Sequence, residues 1–120
     1  MNTRQQDFDK LSNSLNDNLA IEQASLIQYD KAVEFDVLIV QERYRRIGVG
    51  SGALRDFCSF ADKYRLVGLI NPCDRYGTAE EELIVFYSRF GFVPNGNNEF
   101  PDHDGWAMVR PVQVEAACLD

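Results

Sequence analysis

The chain has 120 residues, 45% hydrophobic and 26% charged, an ordinary composition for one soluble globular domain with its own core. A formal charge of −7 and a pI near 4.6 argue against nucleic acid and anionic membrane surfaces as partners. The absence of a spanning or signal-like apolar run, with three cysteines lacking Cys-x-x-Cys spacing, points to a reducing cytoplasmic setting.

Residues 3–15 are polar apart from Phe8, Leu11 and Leu15 at helical spacing, which predicts a short amphipathic helix. Leu19, Ile21, Ser25, Ile27 and Tyr29 then fall on one alternating face. Asp30-Lys31 breaks that run and Val33–Gln41 resumes it, so an antiparallel hairpin is expected. In its second strand Phe35, Val37 and Ile39 would share one face. Glu34, Asp36, Leu38 and Val40 would share the other, which passes from polar to apolar like the wall of a partly solvated cleft.

The stretch Val40-Gln-Glu-Arg-Tyr-Arg-Arg-Ile-Gly-Val-Gly-Ser51 joins this strand to a helical pattern over about 50–64. A strand, a basic glycine-rich turn and a helix make an arrangement suited to phosphate. The first helical N–H groups lack intrahelical acceptors, and the helix dipole places partial positive charge there. Gly48 and Gly50 let the backbone approach a ligand closely, and Arg45 and Arg46 can add charge-assisted contacts. The pattern is neither a P-loop nor a dinucleotide fingerprint: Gly-Lys-Ser/Thr is absent and position 53 is alanine. The same residues would also serve an ordinary strand–turn–helix corner.

Ala53, Leu54, Phe57, Cys58, Ala61 and Tyr64 line one stripe of that helix, with Arg55, Asp56, Asp62 and Lys63 in water. Leu66–Ile70 reads as a buried parallel strand, completing a βαβ unit. Residues 71–77 form a loop. Thr78-x-x-Glu81 reads as a capping box for a helix to about Arg89, with Leu83, Phe86, Tyr87 and Phe90 inward and Gly91 as its stop. Phe92-Val93 and Trp106–Val109 read as closing strands around a polar loop, and a loose tail follows from Pro111. Cys58 reads as core. With His103 the one histidine, no metal is expected.

In this order the parts resemble the GNAT acetyltransferase superfamily over roughly Val33–Arg110. Arg45-x-x-Gly48-x-Gly50 is similar to its Gln/Arg-x-x-Gly-x-Gly/Ala acetyl-CoA motif, and Tyr87-Ser-Arg-Phe-Gly-Phe92 to its Tyr-x-x-x-Gly-Phe signature. The resemblance implies a single α/β domain spanning 1–120: a mixed central sheet with antiparallel N-terminal strands, a βαβ acetyl-CoA core and antiparallel C-terminal strands. It implies acetyl-CoA as donor, its pyrophosphate held by backbone N–H groups of Arg46, Ile47, Gly48, Val49, Gly50 and Ser51. Leu38, Ile39 and Val40 would pair with the pantetheine arm, and Asn71 would touch it where the parallel strands splay.

Tyr87 matches the tyrosine that protonates the departing thiolate. Glu34 stands where histone-acetylating members carry their glutamate base, with Asp36 as its competitor. The bland readings are a core Tyr87, a solvated Glu34, a core Trp106 and a loop His103.

The implied activity is N-acetyl transfer to a primary amine by direct attack in a ternary complex, since no cysteine is placed as an obvious nucleophile. Cys73, near the cleft mouth, is the one exception to weigh. The alternative is a catalytically silent module that keeps the acyl-CoA fold to engage a protein partner. Two departures stand out. Few residues precede Val33, so the acceptor wall is trimmed and either open or completed by a second subunit in a homodimer. The family's Asn-x-x-Ala-x-x-x-Tyr spacing is missing, with Glu80 and Leu83 in the places of its Asn and Ala.

Overall fold

The computed structural model describes residues 3–45, 47–71, 80–95 and 106–113. Helix α1 (Thr3–Asp17) forms where helical spacing predicts it, burying Leu11 and Leu15. Each fully buried leucine of this kind contributes about 1.5–3 kcal/mol. Phe8 meets Phe60 with ring centroids 5.9 Å apart. Lys63 Nζ donates to Asp7 Oδ2 at 2.7 Å, and the Tyr64 hydroxyl donates to the same oxygen. Those two bonds hold the Asp7 carboxyl below the usual carboxylate range.

The predicted hairpin is β1 (Ile21–Gln28) and β2 (Ala32–Val40), antiparallel to each other. Its turn is clamped from α1. Arg4 Nε donates to Gln28 Oε1 at 3.0 Å, while its other nitrogens donate to the backbone carbonyls of Tyr29 and Asp30.

The faces of both strands differ from strict alternation, because the register skips one residue in each. Ile21 pairs with Val40 and Gln23 with Ile39, leaving Glu22 extra; Ser25 pairs with Val37 and Leu26 with Phe35, leaving Asp36 extra. An inserted residue reverses the phase of everything beyond it. On β1 the inward set is therefore Ile21, Ala24 and Leu26, while Leu19 is 85% and Ile27 38% exposed. On β2 Leu38 packs against the same core as Val33 and Phe35. The expected wall of Glu34, Asp36, Leu38 and Val40 is thus broken at Asp36.

Helix α2 (Val49–Lys63) buries Ala53, Leu54, Phe57, Cys58 and Ala61 of the predicted stripe together with Phe60, while Tyr64, its C-cap, is half-buried. Arg65 ends it in the left-handed region, φ 53°, and the Leu66 N–H returns to the Ala61 carbonyl at 2.8 Å. Strand β3 (Val67–Ile70) lies parallel to β2, as the βαβ reading requires. Helix α3 (Glu80–Ser88) stops at Gly91, φ 94°, where the Gly91 N–H donates to the Ser88 carbonyl. That is the position where glycine adopts φ > 0 without a Cβ clash. Thr78, the other half of the predicted capping box, lies outside the described residues.

Among the described residues, strands β4 (Val93–Pro94) and β5 (Met108–Arg110) close a five-stranded mixed sheet in the order β1-β2-β3-β5-β4. Residues from all three helices join one core cluster around Val33, Phe35, Phe57 and Phe92. A smaller cluster of Ala32, Leu69 and Val109, with Val67 and Trp106 against it, occupies the opposite face. Arg110, its side chain 7% exposed, is satisfied by Asp62 at 2.8 Å and the Phe90 carbonyl at 2.6 Å. This pairing ties α2 to β5, and Asp62 read simply as a solvated residue in the sequence.

Candidate functional site

The site is built where β2 and β3 part. Their parallel ladder runs from Ala32↔Val67 to Phe35↔Ile70 and stops, because β3 ends there while β2 continues to Val40. Along Val37–Val40 one edge stays paired with β1. The other edge has no strand partner among the described residues, which leaves backbone donors and acceptors facing outward.

The strand leads directly into the turn. The Gln41 N–H donates to the Ala20 carbonyl at 2.8 Å and its side chain donates to the Leu19 carbonyl at 2.7 Å. A 3-10 turn over Glu42–Tyr44 follows. Arg45 Nε then folds back onto the Val40 carbonyl at 2.9 Å. Arg45 thus pins the turn to the end of the strand, a role that the phosphate reading of its charge did not anticipate. Arg46 lies outside the described residues.

Gly48 is the N-cap of α2 with φ 92°, a conformation in which a side chain would be strained. It supplies no capping side chain, and the first turn holds no acidic residue. The first intrahelical bond runs from the Gly52 N–H to the Gly48 carbonyl at 2.9 Å. The Val49, Gly50 and Ser51 N–H groups therefore have no intrahelical acceptor and sit at the positive end of the dipole. Ile47 beside them is 68% exposed. An open strand edge running into such a helix start fits an extended ligand with hydrogen-bonding groups along its length and phosphate at one end.

Helix α3 packs against this corner. A Cβ on Gly50 would stand 3.6 Å from the tip of the Phe86 ring, ordinary van der Waals contact. Tyr87, the next residue, is buried in the main core with Phe86 at 5.3 Å and Phe92 at 6.1 Å between ring centroids. The tyrosine matched to the family signature is thus buried on the helix that flanks the turn.

Glu34 lies on the far face of the sheet and is buried, not solvated. The Tyr29 hydroxyl donates to its Oε1 at 2.9 Å. That bond, then burial, pushes the Tyr29 phenol up from its ordinary range. Nothing in the sequence singled out Tyr29; its place just before the hairpin turn was the available signal. Trp106, read as core, is half-buried and meets Tyr29 edge-on at 5.8 Å. Asp36 is exposed at the skipped position of β2. Asn71 uses Oδ1 to accept the Ala107 N–H at 2.6 Å, stitching the end of β3 to the start of β5.

The remaining candidates are quickly placed. The Cys58 thiol is buried and pushed up to about 11, chiefly by desolvation, which makes it a poor nucleophile. Cys73, Asp74, Arg75 and His103 lie outside the described residues. Among the described residues no acidic, histidine and cysteine group could hold a metal ion, and no helix is long and apolar enough to cross a membrane. Grooves do occur along the outer side of α3, at Val85 and Phe86, and between α2 and β5, at Arg55 and Arg110. Neither is lined by Glu34, Tyr87 or the open strand edge. No protein-family model, curated protein or solved structure matches the chain.

Proposed function

We propose that the chain is an acetyl-CoA-dependent N-acetyltransferase of the GNAT type, passing an acetyl group to a primary amine by direct attack in a ternary complex. The observation that carries this reading is the junction of two open hydrogen-bonding arrays. The edge of Val37–Val40, which has no strand partner among the described residues, runs into the first turn of α2, whose N-cap Gly48 supplies no capping side chain. The resemblance of Arg45-x-x-Gly48-x-Gly50 and Tyr87-x-x-x-Gly91-Phe92 to the family motifs supports the same reading.

In this scheme the backbone of Leu38, Ile39 and Val40 holds the pantetheine arm. The N–H groups of Gly48, Val49, Gly50 and Ser51, with Arg46 and Ile47, hold the pyrophosphate. Acetyl-CoA supplies an activated acetyl group as its thioester. Glu34 keeps one carboxylate oxygen fixed by Tyr29 and accepts the proton of the acceptor amine at the other. Tyr87 is the proton donor at its hydroxyl. Arg45 acts through position, fixing the Val40 carbonyl and hence the direction of the open edge.

Isothermal titration with acetyl-CoA, with Gly50→Glu alongside, tests the reading. Gly50 has helical backbone and only an ordinary contact with Phe86, so the glutamate should fold while opposing the phosphates. Binding by the native chain that the variant loses supports the site. No binding by folded native protein sinks it. Glu34→Gln and Tyr87→Phe should then each lower turnover by about 10²-fold with acetyl-CoA binding little changed. A non-catalytic module would be indifferent to both.

A further inference from the structure

The sheet face opposite the helices carries a cluster that acetyl transfer uses only in part. Tyr29 and Trp106 stand edge to face, 5.8 Å apart with an interplanar angle of 74°. The Tyr29 hydroxyl holds Glu34 Oε1. Asp36 lies near enough to act on the same phenol through its charge. Glu34 is 8% exposed, yet among the described residues Tyr29 is its one hydrogen-bond partner and no cation pairs with it. A buried carboxylate without a counter-charge is costly to maintain.

Among the described residues, the neighbouring cations do not supply that charge. Arg4 spends its guanidinium on the Gln28 side chain and on the carbonyls of Tyr29 and Asp30. Lys31, in the hairpin turn, is exposed and pairs with neither acid. The other elements against Glu34 bring apolar groups: Ile27 opposite it on β1 and Leu69 opposite it on β3.

We infer that Tyr29, Trp106, Glu34 and Asp36 form a seat for an alkylammonium group. The electron-rich ring faces attract an organic cation and pack its methylenes, and the two carboxylates provide the charge it lacks. A neutral alcohol of the same length gains only the packing. A free amino acid brings its own carboxylate against Glu34 and Asp36. Taken with acetyl transfer, on which this extension alone rests, the seat selects a cationic, flexible alkylamine acceptor over a free amino acid.

Trp106 is the single tryptophan of the chain, so its fluorescence reports this seat directly. The test titrates the full chain, without acetyl-CoA and at constant ionic strength, with n-butylamine, n-butanol and norleucine. The seat predicts a saturable change with n-butylamine and none with the other two. Glu34→Gln and Tyr29→Leu should each weaken the response about tenfold or more, and Tyr29→Phe, which keeps the ring, less. Circular dichroism checks that each variant folds. The native comparison of amine, alcohol and amino acid decides the matter even if a variant does not. No saturable response to the amine, an equal response to the alcohol, or undiminished binding by folded Glu34→Gln overturns the seat. Such a result leaves acetyl-CoA binding as a separate question, and loss of acetyl-CoA binding would equally leave the seat standing.

Discussion

The two halves of β2 have opposite surroundings within one strand. From Ala32 to Phe35 every residue is buried and the ladder is complete on both edges. From Asp36 to Val40 only Ile39 is buried, and the edge toward β3 carries no strand partner among the described residues. The division falls at Asp36, the residue skipped by the register. One strand therefore anchors the core with its first half and, in the proposed scheme, would offer backbone to a ligand with its second. A rigid anchor beside an open edge is a way to hold hydrogen-bonding groups in place without satisfying them internally.

Substitutions moving from the anchored half toward the open one should cost progressively less stability. Phe57→Ala removes the ring that meets Phe35 at 5.1 Å and Phe92 at 6.3 Å. It should cost about 3–5 kcal/mol in urea unfolding, a large share of what a domain of this size has. Asp62→Ala leaves buried Arg110 without its carboxylate. Asp62 is itself half exposed, so about 1–3 kcal/mol is expected, read from the same transition.

Cys58 gives a smaller effect that depends on pH. Burial raises its thiol from an ordinary 9.0 to about 11, so the unfolded chain ionises first. Its contribution is intact below pH 9.0 and is lost as pH climbs toward about 11. Relative to Cys58→Ala, the native chain should lose about 1–2 kcal/mol across that window. A parallel decline in both proteins would assign the alkaline loss to other groups. Gly50→Glu, at the open end, should shift stability by less than about 0.5 kcal/mol while removing acetyl-CoA binding. A large loss of stability there would mean that the corner is structural.

Much of the anchored region was legible in the sequence. The period of Phe8, Leu11 and Leu15, the stripe of α2 and the apolar run of β3 each depend on local patterning that tertiary structure left unchanged. Gly91 was recognisable because only a left-handed stop suits it there. The open region was harder to read. Alternation assumes two residues per repeat, and the skips at Glu22 and Asp36 arise from how two strands pair, which neither strand carries alone. That is why Leu38 and Ile27 were assigned to the wrong faces. Side-chain polar contacts were equally hidden: Tyr29 with Glu34, Arg110 with Asp62, and Arg45 on the Val40 carbonyl follow from the fold, not from spacing.

Amide hydrogen exchange along β2, followed by NMR with and without acetyl-CoA, tests the division most directly. The amides of Val33–Phe35 should be protected in the free protein and unchanged by ligand. Those of Val37–Val40 that do not pair with β1 should exchange fast in the free protein and gain more than about tenfold protection when acetyl-CoA is added. Uniform protection along the free strand, or no gain in Val37–Val40 at millimolar acetyl-CoA, would contradict the assignment of the open edge to the donor.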